Sequence, residues 1–179
     1  RATASASEIL SGALKDTKTA YLVGEKSFGK GSVQVPRGLV NNDGFKITVA
    51  KYYSPSDTNI DKIGIKPDLE VLYPDFTKEE EEDWHALEES GAIADYVDSH
   101  QNMTESEIAS YAKTLQKKYK LEERILRKMI RNELDRTRSP RLYDLDYDSQ
   151  LNAAINVIKG GNFAELMAST KTLKEQQEQ

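Results

Sequence analysis

The sequence contains no cysteine, which excludes disulfides, thiolate metal sites and a thiol nucleophile, and suits an oxidising compartment without requiring one. It has only two histidines, His85 and His100. Both stand in charged stretches that read as exposed or helix-terminal positions. Metal-ligand patterns are missing as well, since no His or carboxylate pair stands at the spacing of a known site. No apolar run approaches the ~20 residues that span a bilayer, and the opening RATASASEIL has neither the layout nor the cleavage site of a signal peptide. Basic charge is in deficit: 25 Lys and Arg face 30 Asp and Glu, for a net charge of −5. With no basic stripe carrying interleaved aromatics, nucleic acid is not an expected partner. Internal repeats and long low-complexity segments are also absent.

What is present divides at Pro74. A chain of 179 residues holds one ordinary domain, or a half-domain with an appendage. Before Pro74, strand and turn signals dominate. Ser7 to Leu14 reads as a helix, Thr19 to Val23 as a buried strand, Ser32 to Pro36 as a second strand and Phe45 to Tyr53 as a third with alternating faces. The Asp-Gly pair closing NNDG at 41–44 predicts a hairpin from Val33 to Tyr52. After Pro74 the chain turns helical and charged. Thr77 with Glu80, and Thr104 with Glu107, have capping-box spacing. Ile108, Tyr111, Ala112, Leu115 and Tyr119 share one helical face, and Leu121, Ile125, Met129 and Leu134 another, with Pro140 as the stop. EEEED at 79–83 reads as a solvated first turn, and Trp84 and the tyrosines as packing residues. A last amphipathic helix runs from about Asp148 to Ile158, ends at Gly160-Gly161, and is followed by a tail polar enough to fray.

The stretch GEKSFGKGSVQ, 24–34, invites two readings. Gly24, Gly29 and Lys30 fit the phosphate-loop spacing after a strand. A phosphate loop, however, follows its lysine with Ser or Thr for magnesium and leads into a helix whose amides face the phosphates. Here Gly31 follows, and SVQV leads into a strand. The other chemistry for such a lysine is that of a general base. Desolvation disfavours an ammonium ion, a neutral amine takes a proton from serine, the glycines at 29 and 31 permit close backbone approach, and Phe28 offers an apolar wall. Ser5 is the candidate serine. It precedes a predicted helix whose positive end lies beside its oxygen, and the amide of Ala6 can face an oxyanion. Ser5-Ala6-Ser7-Glu8 is also a capping box, so on these residues alone Ser5 is either a cap or a nucleophile. Asp68 and Glu25 read as structural hydrogen-bonding groups.

The ordered set T-A-S-A-S-E-I, V-G-E-K-S-F-G-K-G-S-V-Q, Y-Y-S-P-S and G-I-K-P-D-L-E-V resembles the carboxy-terminal processing, or tail-specific, serine peptidases, closely over residues 1–72. The resemblance implies Ser5 as nucleophile, Lys30 as base 25 positions on, Gln34 as the residue that orients the amine, and Ala6 as one oxyanion donor, with Ser7 structural. On a strand, positions 30 and 34 would share a face. DYDSQLNAAINVI, 146–158, is similar to a closing helix of the family. The fold implied is mixed α/β, a partial ClpP/crotonase-like protease core followed by an all-helical C-terminal region. Residues 1–73 would be the core segment, 74–142 a helical insertion, and 143–179 the closing helices and tail.

The function implied is serine endopeptidase action at or near protein C-termini, without metal or cofactor. The expected partners are protein or peptide substrates, a preceding half with a PDZ domain, and a second copy held through the C-terminal helices. The expected place is the bacterial periplasm or cell envelope. Because Arg1 stands directly before a motif of this kind, and such an element needs support around it, the sequence is expected to be the later part of a longer enzyme and nearly inert alone. The competing expectation is a non-catalytic assembly module of helices on a protease-like scaffold.

Overall fold

A computed structural model describes residues 3–136, 139 and 141–178; Arg1 and the expected helix stop Pro140 lie outside them. Its architecture is mixed α/β, with eight helices and two small sheets among the described residues. The chain divides into two compact units, Arg1–Leu72 with Gln150–Gln179, and Tyr73–Ser149.

In the first unit, α1 (Ala6–Asp16) begins directly after Ser5. The strand expected at 19–23 shrinks to β1 (Val23–Gly24), paired in parallel with β4 (Leu69–Glu70). Leu22 explains the shortening. Its amide is taken by the Asp68 carboxylate at 2.8 Å rather than by a neighbouring strand. The hairpin forms as read, from β2 (Ser32–Gly38) and β3 (Gly44–Lys51) in antiparallel register. Its turn differs, because the left-handed residue is Asn42, φ 60°, and the glycine starts the returning strand instead. Asn tolerates that conformation through local side-chain hydrogen bonding. The apolar face expected on β3 has no cover among the described residues, and Phe45, Ile47 and Val49 are exposed.

The expected closing helix is α6 (Ser149–Lys159), followed by α7 (Phe163–Ala168) and α8 (Leu173–Gln177). Gln150 on α6 donates to the carbonyl of Val71 at 2.9 Å. The tail does not fray as predicted. Thr172 and Glu175 form a capping box for α8, Asp16 accepts the Leu173 amide at 2.7 Å, and Leu173 is buried with Ile60 and Ile65. Composition hid one apolar anchor and a cap among polar residues.

The second unit consists of α2 (Lys78–Glu89), α3 (Ala92–Ser99), α4 (Glu105–Gln116) and α5 (Glu123–Asp135). Both threonine boxes cap as predicted. Leu87, Val97, Ile108, Leu126, Ile130 and Leu134 lead its buried core. The stripe on α5 runs through Leu126 and Ile130, while Met129, read as a stripe member, is only partly buried. Trp84 packs on Phe76 with ring centroids 5.3 Å apart.

Candidate active site

Ser5 stands at the head of α1 with φ 58° and ψ −116°, a region that residues with a β-carbon avoid unless their surroundings hold them there. Ala6 opens the helix behind it, and as the first helical residue its amide has no acceptor inside the helix. Ser7 is exposed within the first turn, so the cap position belongs to Ser5.

The residue that organises this corner is Glu8. Its side chain is completely buried. Oε2 accepts the amides of Ser5 at 2.9 Å and Lys30 at 2.8 Å, and Oε1 accepts the Gly29 amide at 2.6 Å and the Ser27 hydroxyl at 2.5 Å. Two amides bound at 2.9 and 2.8 Å to one oxygen place their nitrogens at most about 5.7 Å apart. Residues 25 positions apart in sequence therefore meet at the backbone. Burial works to raise the Glu8 carboxyl, but the Ser27 hydroxyl and the Lys30, Gly29 and Ser5 amides outweigh it and hold the group below the usual carboxylate range. Sequence reasoning saw Glu8 only as the far end of a capping box. A signal was there, since it is the sole acidic residue between Arg1 and Lys15.

The lysine loop is seated on the turn at 60–65. The Ser27 hydroxyl accepts the Ile65 amide at 2.7 Å while the Ser27 amide donates to the Ile65 carbonyl at 3.0 Å. Gly29 has φ 90°, and a β-carbon there would stand 2.8 Å from the Gly64 nitrogen; one at Gly31 would stand 2.6 Å from the Asp61 nitrogen. Both glycines thus serve the close approach expected of them, and the surface approached is this turn. The Lys30 side chain is exposed, and Phe28, expected to wall it, is 67% exposed. Gln34 lies on β2, also exposed, but the strand-parity argument linking it to Lys30 fails. Lys30 precedes the strand, which starts at Ser32, and a bulge between Val33 and Gln34 shifts the register.

Beneath the corner, Lys15 and Asp68 form a buried ion pair at 2.5 Å, their side chains 0% and 6% exposed. Asp68 is structural, as expected. Asp16 accepts the Ser56 amide at 2.9 Å as well as that of Leu173; burial would raise its carboxyl, but these amides and the Ser54 and Ser56 hydroxyls lower it. A cavity of about 70 Å³ lies against α1, lined in part by Ile9, Gly12, Tyr52 and Pro55. His85 and His100 are exposed in the second unit. No group of three or more His, Asp or Glu among the described residues could hold a metal ion, and no described helix is long and apolar enough to cross a membrane.

The segment that carries this corner is similar to known proteins. A profile described as Peptidase family S41 matches residues 1–71. Among its relatives is the "C-terminal processing peptidase, chloroplastic" of Tetradesmus obliquus, 48% identical over 71 residues, which are 40% of this chain and 15% of that protein. The "Carboxyl-terminal-processing protease" of Synechocystis sp. is 54% identical over 72 residues, 40% of this chain and 17% of that protein. A solved structure titled "Photosystem II D1 C-terminal processing protease" is 48% identical, with a TM-score of 0.36, covering 38% of this chain and 18% of that one. The chain thus spans about one sixth of the length of the curated relatives it matches.

Proposed function

We propose that residues 1–71 supply the nucleophile and base of a serine endopeptidase that cuts proteins at or near their C-terminal tails. The observation that carries this reading is the single Glu8 oxygen shared by the amides of Ser5 and Lys30, which seats a serine in a strained turn beside a lysine loop. A strained serine at the mouth of a helix is the arrangement that exposes an attacking oxygen. In the reaction, the neutral Lys30 amine takes the Ser5 proton as Oγ bonds to the peptide carbonyl carbon. The Ala6 amide, with a second amide from outside these residues, receives the oxyanion. Collapse breaks the C–N bond, Lys30 returns the proton to the leaving amine, and water hydrolyses the ester with Lys30 again as base. Gln34 orients the amine.

The Lys30 side chain is exposed among the described residues. An amine stays neutral near pH 7 only when desolvated, so on this reading the cover comes from further elements of a ClpP/crotonase-like core within a polypeptide of the relatives' length. A PDZ domain would capture substrate there, and the 179 residues alone would be nearly inactive, since one absent oxyanion donor costs about 10²–10³ in rate. The bacterial cell envelope is the proposed location.

The test is fluorophosphonate or sulfonyl fluoride labelling of the full-length polypeptide that carries these residues. Labelling should disappear in both Ser5→Ala and Lys30→Ala. Labelling that survives Ser5→Ala overturns the proposal.

A further inference from the structure

We infer that Glu8 is a positioning residue for the Ser5–Lys30 pair, its one buried carboxylate clamping the nucleophile turn to the lysine loop. The catalytic consequence rests on the peptidase reading above; the clamp itself rests on geometry alone.

Helix capping does not account for Glu8. A cap uses the Ser5 amide three positions back, whereas the other three donors, Ser27, Gly29 and Lys30, come from 19, 21 and 22 positions onward. Two donors converge on each oxygen, and the carboxylate is completely buried, so its charge is held by these bonds rather than by water. Each bond has a distinct consequence. The bond to Ser5 helps fix a backbone conformation that a serine does not keep unaided. The bonds to Gly29 and Lys30 hold the loop from which the lysine side chain departs. The bond to Ser27 ties the assembly to Ile65, because the same hydroxyl accepts the Ile65 amide. The two proposed reacting residues are thus referred to one rigid group through main-chain atoms. Positioning at the backbone leaves the lysine amine free of the carboxylate, which a base requires.

The experiment compares Glu8→Gln and Ser27→Ala with the unmutated full-length polypeptide. Gln has the shape of Glu but presents an NH₂ at one end, so two of the four donors would face another donor. Two readouts are taken: amide hydrogen exchange at Ser5, Gly29 and Lys30, and kcat and KM on a peptide together with the rate of Ser5 labelling. In Glu8→Gln, exchange at the three amides should quicken at least about tenfold while the Leu22 amide, held by Asp68, keeps its rate. Labelling and kcat should fall on the order of 10²-fold, as expected for a displaced reacting pair, with KM little changed. Ser27→Ala, which removes one bond of the four, should lose several-fold.

Unchanged exchange, or a kcat within about twofold of the unmutated value, overturns the inference. So does an equal quickening at Leu22 with KM and kcat both damaged, because that describes a structural role alone. Absence of Ser5-dependent labelling in the unmutated protein sinks the peptidase reading and, with it, the catalytic role of Glu8, and exchange then still decides whether the clamp exists. Labelling that requires Ser5 but survives Glu8→Gln sinks the Glu8 inference by itself.

Discussion

The two units of this chain reach order by different means. In Tyr73–Ser149, twelve buried apolar side chains form one cluster across α2 to α5, and burial of that kind is non-directional and strong in sum. In Arg1–Leu72 with Gln150–Gln179, the buried apolar cluster is Ile60, Ile65 and Leu173 with Leu22 against it. Further order there comes from polar groups: the buried Glu8 on four donors, the buried Lys15 on Asp68, and the half-buried Asp16 on Ser56 and Leu173. Meanwhile Phe45, Ile47, Val49 and Leu72 stay exposed. A polar clamp is costly if half made, but it fixes distance and direction, which apolar packing does not. The unit that carries the family match is the one built for geometry.

The contrast breaks most sharply at Lys15. Lys15→Met leaves the Asp68 carboxylate buried with only the Leu22 amide, and loss of one partner of such a pair costs about 3–5 kcal/mol. Denaturant dependence of exchange at the Leu22 and Asp68 amides measures it. Lys15→Met with Asp68→Asn, which removes both charges and keeps an acceptor for Leu22, should recover much of the loss. If the double variant is no better than the single one, the pair is not what organises this unit.

The matching change in the helical unit is apolar. Leu126 is fully buried, and Leu126→Ala should cost about 2–5 kcal/mol by lost burial and the cavity left behind. The one tryptophan, Trp84, lies in this unit, so its fluorescence follows the transition directly. The two variants should differ in kind. A charge-neutralising partner change rescues Lys15→Met, whereas only restored volume rescues Leu126→Ala. Rescue of the leucine variant by a polar residue of similar size would erase the distinction.

How much was legible follows the same division. Capping boxes, the α4 stripe and the hairpin are local patterns, and they were read to within a residue or two at Thr77, Thr104 and Val33. The backbone meeting of Ser5 and Lys30 was reachable only through the ordered motifs, because no local rule joins positions 25 apart. Glu8 stayed hidden since three of its four donors are main-chain groups, which every sequence has everywhere. The bulge at Val33/Gln34 also has no composition signal, and it undid a parity argument that an ideal strand would satisfy. Leu173 was missed because one anchor amid polar residues has no period.

The smallest expected effect tests a place where the helical unit does lean on charge. The Arg131 guanidinium is nearly buried and donates to Glu105, Asp144 and Asp146. Burial opposes ionisation of Glu105, but hydrogen bonds from Arg131 and Arg141, and then their positive charges, hold its carboxyl at about 2. A carboxyl lowered by folding stabilises the native state fully above its unfolded value, about 4.3, and that contribution drains away as pH falls towards about 2. Because the Glu105 side chain is 53% exposed, solvent and salt screen much of the interaction and the effect should be modest. Glu105→Gln should therefore flatten the acid limb of the Trp84 transition between about pH 4.5 and 2, more at low salt than at high. An acid limb as steep in Glu105→Gln as in the unmutated chain would mean that the Glu105 carboxylate adds nothing to the stability of this unit, which would make the contrast with the clamped unit sharper still.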